Sequence, residues 1–194
     1  IGLIRLSEEG EPLKYSRHPL VFLVEAADDI CYEIMDIEDS HKLKILSYEE
    51  TKRLLLSFFD KKTQDGIEKR IIDENITDLN EQIVYMRACA IGILEQECAQ
   101  AFINNEESIL SGTFQGSLID AINPRQREAY KQCMDMSWKK IYHSKPVLDV
   151  ELAGYKIMNT LMEQMIEAVV HPDRFLSKQL ICRVSSQYEI DSPD

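Results

Sequence analysis

Apolar residues recur every three to four positions along most of this chain, and the two-residue alternation typical of a half-buried β-strand persists nowhere. The pattern is clearest near the middle, at Ile83, Met86, Ala90, Ile93 and Ala101. Such spacing places side chains on one face of a helix, which can then pack against a neighbour. The 194 residues suit about one domain, and glycine (7) and proline (6) are scarce. The sequence therefore predicts an all-α protein.

Prolines and capping signals bound the individual helices. Proline is favoured at the first helical position because its missing N–H would have no partner there, so Pro19 is predicted to begin a helix that extends to about Ser40. Ser47 and Glu50 fit a capping box at the start of a second helix. Residues 60–77 are charged and are predicted to form a mobile connection or a short helix. Further helical segments are predicted over about 78–104, in short pieces over 107–122, from Pro124 through Ile141, and over about 150–170 and 174–181.

Charge and cysteine content exclude several classes of protein. With 22 basic and 34 acidic residues the net charge is −12, which repels phosphate-rich partners, so no nucleic acid partner is predicted. The longest apolar runs fall far short of the roughly 20 residues that span a bilayer, so no membrane span is predicted either. The five cysteines contain no C-x-x-C pair and are typical of buried free thiols in a reducing compartment. No signal peptide is visible, and a cytoplasmic location is expected.

The first long helix has an uneven distribution of charge. It contains no lysine or arginine from Pro19 to Ser40. At about 100° per residue, Asp28, Tyr32 and Asp36 lie within roughly 80° of one another, together with Glu25 and Asp39. The opposite side is aliphatic and carries Leu23, Ala26, Ala27, Ile30, Ile34 and Ile37. Clustered carboxylates repel one another, and a divalent cation such as Mg²⁺ or Mn²⁺ would relieve the repulsion because it binds oxygen ligands.

Two other interpretations of these acids stay open at this point. A solvated acidic face is the ordinary explanation for an acidic helix. The pair Asp28-Asp29 also fits the start of the aspartate-rich motif of isoprenoid synthases. The third acid of that motif would stand where Tyr32 is, however, and no second acid-rich motif follows.

A denser pattern surrounds the same acids. The segments 17–20 (RHPL), 25–32 (EAADDICY) and 36–39 (DIED) resemble a signature of the deoxyguanosine-triphosphate triphosphohydrolases, which belong to the HD superfamily of metal-dependent phosphohydrolases. The resemblance implies an HD-domain-like helical array. It also implies hydrolysis of a deoxynucleoside triphosphate, with dGTP favoured, to the deoxynucleoside and tripolyphosphate. A divalent metal ion and assembly into a homo-oligomer follow from the same resemblance.

The resemblance assigns a role to three residues of the helix. Asp28 matches the aspartate that is the last ligand of the family's metal centre. Tyr32 matches the tyrosine that packs against the deoxyribose, and Asp36 matches the acid that binds the sugar 3′-hydroxyl. Since these positions are i, i+4 and i+8, the three side chains would line one groove in order along the helix.

Other parts of the family's site are missing from this sequence. The family's His and His-Asp metal ligands and its general acid or base precede the helix, and no histidine here is followed by Asp. We therefore expect the chain to be an internal or C-terminal piece of a longer enzyme, inactive by itself, with its catalytic residues upstream. Within a single helical unit over 1–194, residues 1–45 would be the end of the HD core and residues 46–194 an accessory helical region.

Several further residues are candidates for supporting roles. Arg17 lies at the positive end of the helix, where it would contact a phosphate or form an ordinary salt bridge. Glu25 and Asp29 flank Asp28 and would orient metal ligands, whereas His18 is expected to cap or pack. The basic residues Arg125, Arg127, Lys131, Lys139 and Lys140 suit a solvated face, a triphosphate contact or a subunit contact, and Trp138 and Tyr142 suit the core or an interface.

Two alternative functions stay open beside the triphosphohydrolase. One is an HD-superfamily phosphohydrolase that acts on another nucleotide, although Tyr32 and Asp36 favour a deoxyribose pocket. The other is a non-catalytic helical regulatory or interaction domain, for which Asp28→Ala would change neither metal affinity nor turnover. Base preference, metal identity and effectors are not specified by the sequence.

Overall fold

A computed structural model of the chain describes residues 4–7 and 10–185. Within these residues the regular structure is helical, apart from one antiparallel bridge between Arg5 and Tyr15. The all-α prediction is confirmed, and the arrangement is consistent with a helical HD-like array. The chain divides into two compact units, Ile1–Tyr142 and His143–Asp194. The sequence-based division near residue 45, into an HD core and an accessory region, stays a prediction.

The helices of the two units follow the predicted order with three differences. The charged segment 60–77 contains a full helix, the last predicted long helix begins at Lys145 rather than near residue 150, and a π-helical turn ends the helix that Pro124 begins. The first unit contains α1 (Pro19–Lys42), α2 (Tyr48–Leu56), α3 (Lys61–Asp73), α4 (Leu79–Asn104), α5 (Glu106–Leu110), α6 (Leu118–Ala121), α7 (Pro124–Met136) and the π-turn (Ser137–Ile141). The second unit contains α8 (Lys145–Val170) and α9 (Phe175–Ile181).

The core of the first unit lies between α1, α2 and α4. The buried stripe of α4 includes Ile83, Met86 and Ala90 as predicted, while Leu94 is fully buried where Ile93 is only half-buried. These side chains pack with the buried residues of α1 and α2 in one continuous cluster. Burying one large aliphatic side chain stabilises a fold by about 1.5–3 kcal/mol. Packing against α4 therefore fixes which side of α1 faces inward.

Local capping interactions set the starts of the helices. The Nδ1 atom of His18 accepts a hydrogen bond of 3.2 Å from the backbone N–H of Leu20, so the predicted capping role of His18 is confirmed. Ser47 and Glu50 form the predicted capping box at α2. The Glu50 carboxylate also accepts a hydrogen bond from Lys140, which lowers the pKa of Glu50 to about 2. Lys140 therefore links the π-turn to α2 rather than belonging to a purely solvated basic face.

The second unit is a pair of helices with little buried apolar surface. α8 packs against α9 near Ala168 and Ser177, which are buried. Most large apolar side chains of α8 are exposed, including Leu152 and Tyr155. Among the described residues, no helix is both long enough and apolar enough to cross a membrane.

The prediction that the cysteines are buried free thiols is confirmed only in part. All five are free thiols. Cys98 and Cys133 are buried, and burial raises the pKa of the Cys98 thiol to about 11. Cys31 in α1 and Cys182, which directly follows α9, are exposed, and Cys89 is half-buried.

Candidate functional site on α1

The candidate site lies on the solvent side of α1. The predicted inner side is confirmed for Ala26, Ile30, Ile34 and Ile37, which are buried. Leu23 and Ala27 were expected on the aliphatic inner side but are exposed, because the buried arc of α1 is narrower than the apolar arc.

The side of α1 that faces solvent is not purely acidic. Val24 and Met35 are exposed alongside the carboxylates. The candidate residues therefore lie on a surface where acidic and apolar side chains are mixed.

Asp28 and Tyr32 are freely accessible on this side. Tyr32 is 73% exposed and follows Asp28 by one helical turn. Among the described residues, Asp28 makes no ion pair or side-chain hydrogen bond that would occupy its oxygens. Within the same residues, no three His, Cys, Asp or Glu side chains are grouped closely enough to hold a metal ion. The described residues thus present one unpaired carboxylate where a metal ligand is predicted, and do not by themselves form a complete metal site.

Asp36, one turn further along, is held by a residue that is distant in sequence. The Tyr142 hydroxyl donates a hydrogen bond of 2.8 Å to Oδ2 of Asp36. Both side chains are half-buried. Burial, together with the nearby Asp36 carboxylate, raises the pKa of Tyr142. The phenol therefore keeps its proton and acts as the donor, while the second oxygen of Asp36 has no hydrogen bond in the described residues.

A buried carboxyl group lies beside Asp36. Glu33 is buried, and its Oε1 accepts a hydrogen bond of 2.7 Å from the Ser137 hydroxyl. Burial and the Asp36 carboxylate raise the pKa of Glu33, while the Ser137 hydrogen bond acts in the opposite direction. Glu33 and Asp36 are therefore anchored by Ser137 and Tyr142 respectively.

The π-turn explains how Ser137 and Tyr142 can both reach α1. In an α-helix of 3.6 residues per turn, positions five apart differ by roughly 140° around the axis. In a π-turn the N–H of residue i+5 bonds to the carbonyl of residue i, which brings these two positions onto the same side. The backbone N–H of Tyr142 donates this bond to the Ser137 carbonyl at 2.9 Å. Tyr142 was expected in the core or at an interface; it packs against the core, as expected, and its hydroxyl also bonds directly to a candidate site residue.

Two other acids of α1 are neutralised by cations from outside the acidic segment. Arg17 forms an ion pair with Glu25 and lies over the Phe22 ring, with 4.5 Å from its guanidinium carbon to the ring centroid. Arg17 thus forms the salt bridge that was one of its two predicted roles. The buried Glu38 carboxylate contacts the Arg87 guanidinium and the Lys42 ammonium, each at 2.6 Å. These contacts leave Asp28 and Asp36 as carboxylates of the exposed side that no cation pairs in the described residues.

Asp29 points away from Asp28 toward α6 and α7. It lines an open cavity of about 560 Å³ together with Asp120, Arg127 and Lys131. Its backbone carbonyl accepts a hydrogen bond of 3.0 Å from the Tyr130 hydroxyl. Burial raises the pKa of Asp29, as do the nearby charges of Glu25, Asp28 and Asp120. The structure therefore groups Asp28, Tyr32 and Asp36 along one side of α1, and places Asp29 on a neighbouring side.

Sequence reasoning missed the contribution of Glu33, Ser137 and Tyr142. One signal was available for Glu33, because its helical angle of roughly 140° from Asp28 places an acid at the edge of the buried arc. No local signal marks Ser137 or Tyr142, since their contacts depend on a π-turn and join residues more than 100 positions apart.

Several curated proteins that are similar to this chain are named as deoxyguanosinetriphosphate triphosphohydrolases or as triphosphohydrolase-like proteins. A deoxyguanosinetriphosphate triphosphohydrolase-like protein of Synechocystis sp. is 32% identical over 158 residues, which are 80% of this chain and 33% of that protein. A similarly named protein of Pseudomonas aeruginosa is 25% identical over 186 residues, 93% of this chain and 40% of that protein. The deoxyguanosinetriphosphate triphosphohydrolase of Salmonella arizonae is 30% identical over 173 residues, 83% and 34% respectively.

The extent of these matches defines the relationship. No protein-family model matches the chain. The chain spans about a third to two-fifths of the length of the curated relatives it matches. On these similarities, the chain is a relative of the deoxyguanosinetriphosphate triphosphohydrolases and of the proteins named as triphosphohydrolase-like.

Proposed function

We propose that this chain forms one wall of the nucleotide site of a longer, metal-dependent deoxynucleoside triphosphate triphosphohydrolase, with dGTP as the favoured substrate. The observation that carries the proposal is the row along one side of α1 that is formed by the exposed Asp28 and Tyr32 and the half-buried Asp36. The row lies in the stretch that resembles the family signature, and the curated relatives are named for hydrolysis of dGTP.

Asp28 is proposed as one ligand of a divalent metal ion. Its carboxylate is exposed and has no ion pair or side-chain hydrogen bond within the described residues, and carboxylate oxygens suit Mg²⁺ and Mn²⁺. The remaining ligands are expected from outside this chain, because the described residues contain no group that could hold a metal. A bound metal ion would polarise a phosphoryl oxygen and activate water.

Tyr32 and Asp36 are proposed to bind the sugar. The exposed ring of Tyr32 offers a flat apolar surface for the deoxyribose, where a 2′-hydroxyl would meet the ring rather than a polar partner. The second oxygen of Asp36, which has no hydrogen bond to any described residue, would accept a hydrogen bond from the 3′-hydroxyl. Metal, sugar and 3′-hydroxyl would then follow one another along α1 at intervals of one turn.

The decisive experiment is a product assay on the full-length protein that contains this chain. The protein is incubated with dGTP and Mg²⁺ or Mn²⁺, and tripolyphosphate is separated from pyrophosphate and phosphate. We expect tripolyphosphate as the product. Asp28→Ala should lower turnover by more than the roughly 10–100-fold that loss of a residue supporting a metal ligand costs, because it removes a ligand itself.

A variant on the same helix provides the matched control. Asp39 is exposed and pairs only with Lys42 in the described residues, so Asp39→Asn should leave turnover within about twofold. Pyrophosphate or phosphate as product would keep a phosphohydrolase and contradict the triphosphohydrolase assignment. No product from any deoxynucleotide, with or without added nucleotide effectors, would favour a regulatory or interaction domain.

The 194-residue chain alone is proposed to be inactive, because it supplies one predicted metal ligand only. Robust metal-dependent release of tripolyphosphate by the chain alone would contradict this proposal. Homo-oligomerisation of the full-length protein is proposed from the family resemblance and is checked by sedimentation of the same preparation.

A further inference from the structure

We propose that Tyr142 is a positioning residue for the sugar contact, and that the π-turn serves to bring Tyr142 to Asp36. The inference rests on the proposed function, since it concerns how the 3′-hydroxyl acceptor is oriented. Nothing in the family resemblance assigns a role to Tyr142, to Ser137 or to the turn between them.

The first observation in support is that only one of the two oxygens of Asp36 accepts a hydrogen bond within the described residues. Oδ2 accepts the Tyr142 hydroxyl at 2.8 Å, and this bond fixes the rotation of the carboxylate about its Cβ–Cγ bond. The other oxygen then points in one direction before a nucleotide arrives. A hydrogen-bond acceptor that is oriented in advance loses less conformational entropy when the ligand binds.

The second support is that the anchoring contacts form a pair. Ser137 begins the π-turn, is fully buried and donates to Glu33; Tyr142 directly follows the turn and donates to Asp36. An ordinary α-helix would direct these two positions about 140° apart. The buried hydrogen bond between Ser137 and Glu33 holds the π-turn against α1. The π-turn then places the Tyr142 hydroxyl within hydrogen-bond distance of Asp36. π-turns are rare and are found often at functional sites.

The third support is the surrounding charge. Glu33 and Asp36 are three residues apart on α1 and carry no cation partner in the described residues, so two neutral hydroxyl groups hold both acids. A cation at this position would neutralise Asp36 and compete with a sugar hydroxyl for its oxygens. A phenol supplies one directed hydrogen bond and leaves the charge of the carboxylate in place.

The experiment compares two substrates that differ only at the 3′ position. The full-length protein and its Tyr142→Phe variant are assayed with dGTP and with 2′,3′-dideoxyguanosine triphosphate, which lacks the 3′-hydroxyl. We expect Tyr142→Phe to lower kcat/KM for dGTP about tenfold, near the lower end of the effect of a hydrogen bond to a charged group. For the dideoxynucleotide, kcat/KM should change less than about twofold, because this substrate has no 3′-hydroxyl to bond to the oriented Asp36 carboxylate. Both values come from one preparation, so their ratio does not depend on the folded fraction.

Two further variants complete the design. In an Asp36→Ala background, Tyr142→Phe should have no additional effect on dGTP, because the group that it orients is gone. Tyr15→Phe removes an exposed tyrosine hydroxyl elsewhere in the first unit and should leave kcat/KM unchanged for both substrates.

The outcomes separate the two proposals. An equal loss of kcat/KM for both substrates, or no loss for either, would overturn the positioning role while leaving the triphosphohydrolase in place. A wild-type protein that releases no tripolyphosphate would overturn the proposed function, and with it the role of Tyr142.

Discussion

The two compact units use the same kind of helix in different ways. In the first unit, α1 and α4 bury their apolar stripes in a shared core. In the second unit, α8 is as long as α4 (26 residues each), yet Ala168 is the one hydrophobic residue that is buried among those described. Helices of this length draw most of their stability from packing rather than from intrinsic propensity. The difference shows that helical periodicity predicts where a helix forms, but not whether its apolar side is covered.

Exposed apolar side chains occur around most of α8. Leu148, Leu152, Tyr155, Met162 and Ile166 recur at spacings of three, four and seven residues and are exposed. Val150, Ile157 and Leu161 are also exposed and lie on the opposite side of the helix, roughly 180–220° from Leu148. Exposed apolar surface of this extent is unusual on a folded monomer. The stability of the second unit should therefore be far lower than that of the first.

The largest expected effect is a difference in unfolding between the two units when each is produced separately. Residues 1–142 should unfold in one cooperative urea transition followed by circular dichroism, because they contain a continuous core. Residues 143–194 should show weak helicity and no cooperative transition, because two helices that bury little apolar area cannot offset their conformational entropy. A sharp transition for 143–194 would contradict this difference between the units.

Within the intact chain, two equivalent leucine-to-alanine substitutions should differ strongly in their effect on stability. Leu55 in α2 is fully buried, so Leu55→Ala should lower the free energy of unfolding by about 2–5 kcal/mol through lost burial and a cavity. Leu152 in α8 is 69% exposed, and Leu152→Ala should stay within about 0.5 kcal/mol. Urea unfolding of the chain measures both. Equal losses would mean that Leu152 is covered in solution.

The smallest effect concerns carboxyl groups and depends on pH. The pKa of Glu33 is raised in the folded chain, so above its unfolded pKa of about 4.5 the unfolded state releases its proton first and stability falls as pH rises. Glu33→Gln should therefore stabilise the chain at pH 7, by less than the Leu55→Ala loss, and have no such benefit below about pH 4. The exposed Glu163 of the second unit is the control, since Glu163→Gln removes no buried charge and should leave the free energy of unfolding at pH 7 within about 0.5 kcal/mol. A Glu33→Gln variant that is less stable at pH 7 would contradict the cost of burying this charge.

Much of the first unit could be predicted from the sequence because its signals are local. The cap at His18, the capping box of Ser47 and Glu50, and the stripe of α4 each depend on residues within a few turns of one another. The exposure of Leu23 and Ala27 could not be predicted, because it depends on what packs against α1. Cys31 is exposed for the same reason.

The candidate site also has one part that could be predicted from the sequence and one part that could not. The order of Asp28, Tyr32 and Asp36 along α1 follows from helical geometry, while their chemical roles come from a family resemblance and stay predictions. The contact of Tyr142 with Asp36 joins residues 106 positions apart and needs a backbone that departs from the α-helix. Neither the long sequence separation of this contact nor the π-turn can be recognised from hydrophobic periodicity.

The π-turn also has a consequence for evolutionary comparison. A bond from residue i+5 to residue i encloses one more residue than the bond of an α-helix. A relative that forms this segment as an ordinary helix should therefore carry a one-residue deletion between positions 137 and 142. Without compensation, such a deletion would rotate the tyrosine away from α1. The length of this short segment, rather than the identity of any residue in it, should distinguish relatives that retain the Tyr142–Asp36 contact from those that have lost it.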